Sequence, residues 1–158
     1  KPGTKTDIPV IGVDFMPTLA EIASAEIPRD QPVDGISFLP ILKGGDINGE
    51  RPLFFHFPLY LGGGKDKVLP SFNGQKDYWR AVPSTTIISG EWKLIYYYEY
   101  GKFELFNLKY DISEQNDLSS DRPEIASDLL EKLNSWTKEV NAPIPSVTNN
   151  KFQSLKQN

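Results

Sequence analysis

From Ser84 to Leu108 the chain reads STTIISGEWKLIYYYEYGKFELFNL, and this stretch leaves little choice of fold. "STTII", "WKLIYYY" and "KFELFNL" are rich in β-branched and aromatic residues, and the turns "SGE" and "EYG" separate them. Turns this short cannot carry a crossover, so the strands are expected to form an antiparallel meander. Side chains alternate along a strand, which puts Trp92, Leu94, Tyr96 and Tyr98 on one face and Lys93, Ile95, Tyr97 and Glu99 on the other. A sheet this small needs a helix to cover one face. Downstream, Ile125, Leu129, Leu133, Trp136 and Val140 recur at steps of three or four residues, the stripe of an amphipathic helix. Asp121 and Glu124 read as its capping box, Pro123 sits in its first turn, and Pro143 and Pro145 end it. The expected fold class is α+β: a small antiparallel sheet packed by a C-terminal helix, with Trp92, Tyr96, Tyr98, Phe106 and Trp136 in the core.

The first fifty residues are rich in turns. "VDFMPTLAEIASA" reads as a short helix capped by Asp14, with Leu19, Ile22 and Ala23 on its apolar face. "GISFLPILKGG" repeats the device with Ser37 as cap, Pro40 in the first turn and Gly44 as the stop. "RPLFFHFPLYL" reads as an aromatic strand ending at Pro58. A Gly-rich loop follows, and Gly62 to Gly64 make it costly to order without a ligand. The tail "SVTNNKFQSLKQN" is polar and expected to be loosely held.

Composition excludes several functions. Net charge is −4 with no basic block, which argues against nucleic acid as a partner. No apolar run approaches the roughly 20 residues that span a bilayer, so no membrane partner is expected. Cysteine is absent, which removes thiol catalysis and thiolate metal ligands from this chain. "KPGTKTDIPV" carries neither an initiator Met nor a signal-peptide pattern, so a fragment of a longer protein is expected.

The loop "KYDISEQNDL" places Asp111, Ser113, Glu114, Asn116 and Asp117 close together, a candidate calcium cage. Counted from Asp111 as an EF-hand loop, its sixth position is Asn116 where Gly is needed. Its twelfth is Arg122, a cation where the bidentate carboxylate belongs. Asp, Ser and Asn also bond their own backbone in turns, and Asn116 tolerates left-handed geometry. The loop reads as a connector, and no metal ligand is assigned in this chain.

Taken in order, "VIGVDFMPTLAEIA", "PVDGISFLPILKG", "RPLFFHFP" and the run from Ile88 to Trp136 resemble the C-terminal part of type I, formylglycine-dependent sulfatases. The family's segments run roughly D-x-x-P-T-L-x-x-x-A, D-G-x-S-L-x-P-L-L-x-G, G-x-[WY]-K-L-I, E-L-[YF]-[ND]-L with D-x-x-E-x-x-N-L, and a terminal L-x-x-W helix. The chain departs from it at Ile112, where an Asp-Pro pair usually follows, and at Leu59, where many bacterial members carry a second His. The resemblance implies that residues 1–60 are the end of an alkaline-phosphatase-like α/β core. It divides the rest into a loop at 61–83, a C-terminal subdomain at 84–141 and a tail at 142–158. It implies calcium and formylglycine in the parent protein, with the remainder of the sulfatase core and a sulfated saccharide as partners. It also implies a periplasmic or extracellular location.

The nucleophile motif C/S-x-P-S-R has no counterpart here: "AVPST" puts Ala81 at the nucleophile and Thr85 at the arginine. No catalytic residue is therefore assigned, and the chain alone is expected to be inactive. His56, the only histidine, lies where the resemblance places the substrate pocket, and Tyr60 and Arg80 flank the Gly-rich loop with Lys65, Lys67 and Trp79. An aromatic platform and a guanidinium suit a sulfated sugar, so His56, Tyr60 and Arg80 are the candidate substrate-binding residues. A packed histidine and a solvated loop are the plainer alternatives. Two other functions stay open: a non-catalytic binding module, and the C-terminal part of a related phosphoryl-transfer enzyme.

Overall fold

The computed structural model describes residues 2–47, 51–62 and 79–147, and for Gly62, Trp79 and Arg80 the backbone alone. The chain divides into two compact units, residues 1–49 and 50–158.

In the first unit a 3₁₀ turn at Gly12–Asp14 leads into α1, Phe15–Ile22, and a shorter α2 follows at Leu39–Leu42. Asp14 was expected to cap α1 through its side chain, and it does not. Its carboxylate turns inward, fully buried, and accepts the N–H groups of Ile11 at 2.9 Å and Ile36 at 3.0 Å. Thr18 continues the seam, donating to the Asp14 carbonyl at 2.7 Å and accepting the Phe38 N–H at 3.0 Å. Gly35 completes it. A Cβ there would run into the Val13 carbonyl, so only glycine lets the two backbones approach. The helix α2 stops as the sequence suggests, the N–H groups of Gly44 and Gly45 returning to the carbonyls of Ile41 and Pro40. At its start, however, Phe38 rather than Ser37 occupies the N-cap and no side chain caps it; Ser37 Oγ accepts the Leu39 N–H from one place further out. The expected apolar face of α1 is not covered within this unit. Phe15, Met16, Leu19 and Ile22 are 45 to 60% exposed, because residues 2–47 supply no second layer to pack on them.

The second unit holds a four-stranded antiparallel sheet of order β1-β4-β5-β6, with β1 at Leu53–Phe57, β4 at Ser84–Ser89, β5 at Trp92–Tyr97 and β6 at Lys102–Asn107. The meander is there, with Gly90 and Gly101 at φ +56° and +57° in its turns. The aromatic strand, which the sequence grouped with residues 1–60, joins it as a fourth member against β4. Between them a small ribbon pairs β2, Leu61–Gly62, with β3, Trp79–Ala81, at the two ends of the Gly-rich loop. Residues 63–78 of that loop, with Lys65 and Lys67, lie outside the described residues.

A 17-residue helix, α3 at Pro123–Glu139, covers one face of the sheet. Ala126, Leu129 and Leu133 meet Ile87, Leu94 and Leu105 in a fully buried core, flanked by Phe54, Trp92, Tyr96, Phe103 and Ile125. Each fully buried Leu or Ile side chain is worth about 1.5–3 kcal/mol. Trp136 stacks flat on Phe54, ring centroids 4.7 Å apart and planes 2° from parallel. Three expectations fail here. Arg122, one residue later than Asp121, occupies the N-cap, and no side chain caps the helix; with Pro123 as first residue, Glu124 falls one place short of the position a capping box needs. Phe106 is buried, but cross-strand from Lys93 and therefore on the face away from α3. Val140, past the helix end, is half exposed.

The edge of β6 is closed by the loop that follows it. Leu105 donates its N–H to Asp117 Oδ1 at 3.0 Å and accepts the Leu118 N–H at 2.8 Å. Among the described residues β1 has no neighbour on its outer side.

Candidate functional site

The acidic loop is committed to scaffolding. Asp111 accepts the N–H groups of Gln115 and Asn116, both at 2.8 Å, and Asp117 holds Leu105 and Ser119. Glu114 takes Lys93 with both oxygens, at 2.7 and 2.8 Å. The left-handed residue is Glu114, at φ +54°, rather than Asn116. That backbone is unfavourable for a glutamate, and the bidentate ion pair opposes the cost.

The outgoing end of β1 is different. His56 sits on the α3 face, directly across from Thr85 of β4. Its Nδ1 lies 2.7 Å from Thr85 Oγ1 and its Nε2 lies 3.1 Å from the carbonyl of Pro143, in the segment after α3. The stretch between α3 and the polar tail is thereby fastened to the sheet at Pro143. Thr85 Oγ1 is also 2.6 Å from the Tyr98 hydroxyl. The Tyr98 ring stands edge-on to His56 at 6.1 Å and to Tyr96 at 5.3 Å. Burial holds the Tyr98 phenol above its ordinary range, the Thr85 hydrogen bond draws it partly back, and Tyr96 adds a small upward push. Tyr98 had been expected in the core; it falls one residue past β5, where its hydroxyl finds Thr85 instead.

Tyr60 donates its phenolic proton to the carboxylate of Glu99. Two of the three candidate residues thus converge on one dipeptide, His56 through Thr85 onto Tyr98 and Tyr60 onto Glu99. Arg80 is the middle residue of β3, 20 residues along the chain from Tyr60; its side chain lies outside the described residues. Sequence reasoning missed Thr85, Tyr98, Glu99 and Pro143. The alternation rule could have offered Thr85 once β1 was paired with β4, because cross-strand partners share a face. Nothing in the sequence pointed to Pro143, whose carbonyl is used rather than its side chain.

The motifs at these junctions, carried on a four-stranded antiparallel sheet under one long helix, are those of the C-terminal region of sulfatases. The chain belongs to the family described as N-sulphoglucosamine sulphohydrolase, C-terminal, which it matches over residues 1–139. A relative named Sulfatase, from Formosa agariphila, is 32% identical over 145 residues, covering 83% of this chain and 23% of that protein. Among solved structures, one in complex with its substrate D-glucosamine-2-N,6-O-disulfate aligns at 20% identity with a TM-score of 0.60, over 85% of this chain and 25% of the other. The phosphonate monoester hydrolase of Agrobacterium radiobacter aligns at 23% identity with a TM-score of 0.51, over 80% of this chain and 24% of the other. The two structures establish a shared fold. The chain spans about a quarter of the length of these proteins.

Proposed function

We propose that this chain completes a sulfuric ester hydrolase acting on a sulfated saccharide, and that the end of β1, with His56, Tyr60 and Arg80, forms part of the saccharide pocket. The match over residues 1–139 carries the reaction class. The uncovered stripe of Phe15, Met16, Leu19 and Ile22 supports a larger core as the partner of the first unit, since an apolar helix face of this kind is stable only when covered.

Calcium and formylglycine would be supplied by the remainder of the protein, where a metal and an activated oxygen nucleophile clamp and attack the sulfate ester. The described residues of this chain fit neither. The acidic side chains of the 111–117 loop are spent on backbone N–H groups and on Lys93, and Ala81 and Thr85 stand where the nucleophile motif needs its reactive residue and its arginine. The chain's own contribution is to bind and orient.

The phosphonate hydrolase neighbour keeps a second reading alive, since one fold serves both ester types. The complete protein, offered a panel of sulfated disaccharides, a small aryl sulfate and an aryl phosphonate monoester, decides between them. Sulfate release from a saccharide is the expected result. Turnover of the phosphonate alone transfers the assignment to phosphoryl chemistry.

A further inference from the structure

We propose that Tyr98 is the group this sheet end presents to the sugar ring, as a hydrogen-bond acceptor whose direction is set by Thr85 and His56. The inference rests on the saccharide reading above. The direction follows from the Pro143 carbonyl. A carbonyl only accepts, so His56 Nε2, 3.1 Å away, carries the ring proton. In the neutral imidazole Nδ1 then has a lone pair, and the Thr85 hydroxyl donates to it across 2.7 Å. Thr85 has one proton. With that proton on His56, its oxygen accepts from Tyr98 across 2.6 Å.

The Tyr98 proton is thereby committed inward, and the phenol oxygen keeps only lone-pair capacity. Among the described residues no donor is directed at it. Burial favours the neutral phenol, so the group remains an acceptor and does not become a phenolate. Thr85 is fully buried, so the oxygen at the centre of the relay is kept from water, while the His56–Pro143 bond that anchors it lies at the surface.

This polarity selects a partner. A sugar ring is dense in hydroxyl donors, and an amino sugar adds N–H, whereas a sulfate group carries acceptors alone. Tyr98 therefore reads the carbohydrate and not the anion. A sulfate at the ring position it contacts would set oxygen against oxygen and be disfavoured. His56 and Thr85 become positioning residues that act through Tyr98, in place of the direct contact expected for His56.

The test uses the complete protein, a sulfated disaccharide that it turns over, and a small aryl sulfate. Tyr98→Phe keeps the ring and removes the oxygen. It should raise the disaccharide KM by about three- to tenfold more than the aryl sulfate KM, the worth of one neutral hydrogen bond. Thr85→Val keeps the shape and breaks the relay, and should produce the same selective shift. The double variant should then be no worse than Tyr98→Phe. An unchanged ratio of the two KM values in Tyr98→Phe, with a melting temperature near that of the parent, overturns the proposal. So do additive effects in the double variant, and Tyr98→Phe suffices where Thr85→Val does not fold. Turnover of the aryl sulfate but of no disaccharide would remove the saccharide reading as well, and turnover of neither ester would remove the sulfatase assignment itself.

Discussion

Lys93 and Glu114 are joined by two hydrogen bonds of 2.7 and 2.8 Å, across 21 residues of sequence. Each belongs to a motif quoted separately above, the W-K-L-I strand and the D-x-x-E loop. The pair explains both at once. Lys93 points away from α3 on β5, and Glu114 is the loop residue whose left-handed backbone brings its carboxylate back over that face. The two side chains are only 19 and 26% exposed, so this pair is screened less than a surface salt bridge.

Glu114→Gln should therefore cost about 1–3 kcal/mol, more than an exposed pair and less than a fully buried one. Lys93→Met combined with Glu114→Gln should recover part of that loss, because no uncompensated charge is left behind. Urea denaturation of the single and double variants measures the coupling. Strictly additive costs would mean that the pair contributes nothing as a pair.

Glu104 should make stability depend on pH in a particular direction. Burial raises its carboxyl above the ordinary range, the Tyr97 hydroxyl donating at 2.7 Å opposes this, and the charges of Asp117 and Glu114 raise it further. A raised carboxyl binds its proton more tightly in the folded state. Its contribution is therefore full below the carboxylate range of the unfolded chain and is lost as pH rises through the folded value. Glu104→Gln should stabilise the protein at neutral pH, with the gain vanishing in acid. Melting temperatures of both proteins from pH 4 to pH 8 check the sign; a loss at neutral pH contradicts it.

The helix α3 should depend on its stacked face and not on its start. Trp136→Ala removes the ring parallel to Phe54 and should cost about 3 kcal/mol, the lower end of the range for large aromatics because the ring is only half buried. Asp121→Ala should lie within about 0.5 kcal/mol of the parent, since Asp121 caps nothing. Denaturation midpoints rank the two. A loss of about 1 kcal/mol at Asp121 would restore the cap.

In the first unit, Gly35→Ala should break the seam between Asp14 and Ile36. The new methyl group meets the Val13 backbone, which cannot rotate aside as a side chain could. A cost of about 1–3 kcal/mol is expected from such overpacking. It should appear locally as faster hydrogen exchange at the Ile11 and Ile36 amides, the two donors that Asp14 holds. Unchanged exchange at both would mean that the approach of Gly35 to Val13 is relaxed in solution.

The pattern of hits and misses has a physical reason. Strand periodicity at 84–107 and helix periodicity at 125–136 are local signals, and both elements formed where the sequence placed them. Asp14 and Asp121 misled because an acid just before an apolar run looks the same whether its oxygens cap a helix or serve a distant N–H. Asp14 was claimed by Ile36, 22 residues away, and no local rule contains that partner. The candidate site was half legible for the same reason. His56 and Tyr60 stand out by residue type, but the groups that satisfy them, Thr85, Glu99 and the Pro143 carbonyl, are chosen by strand pairing and by where the chain turns after α3.

The two rims of the sheet are unequal, and this gives the sheet a direction. At β6 the Asp117 carboxylate and the Leu118 amide occupy the outward N–H and carbonyl of Leu105, so a further strand there would have to displace them. At β1 no strand among the described residues pairs with the outer side, and Phe55 and Phe57 are exposed on the same strand. Among the described residues, Leu53–Phe57 is the rim left without a paired strand, and a further strand, from another stretch of polypeptide or a second molecule, would join the sheet there. A protein with one sealed rim cannot stack into an open-ended ribbon by repeating that contact: two copies meeting rim to rim close the series at two.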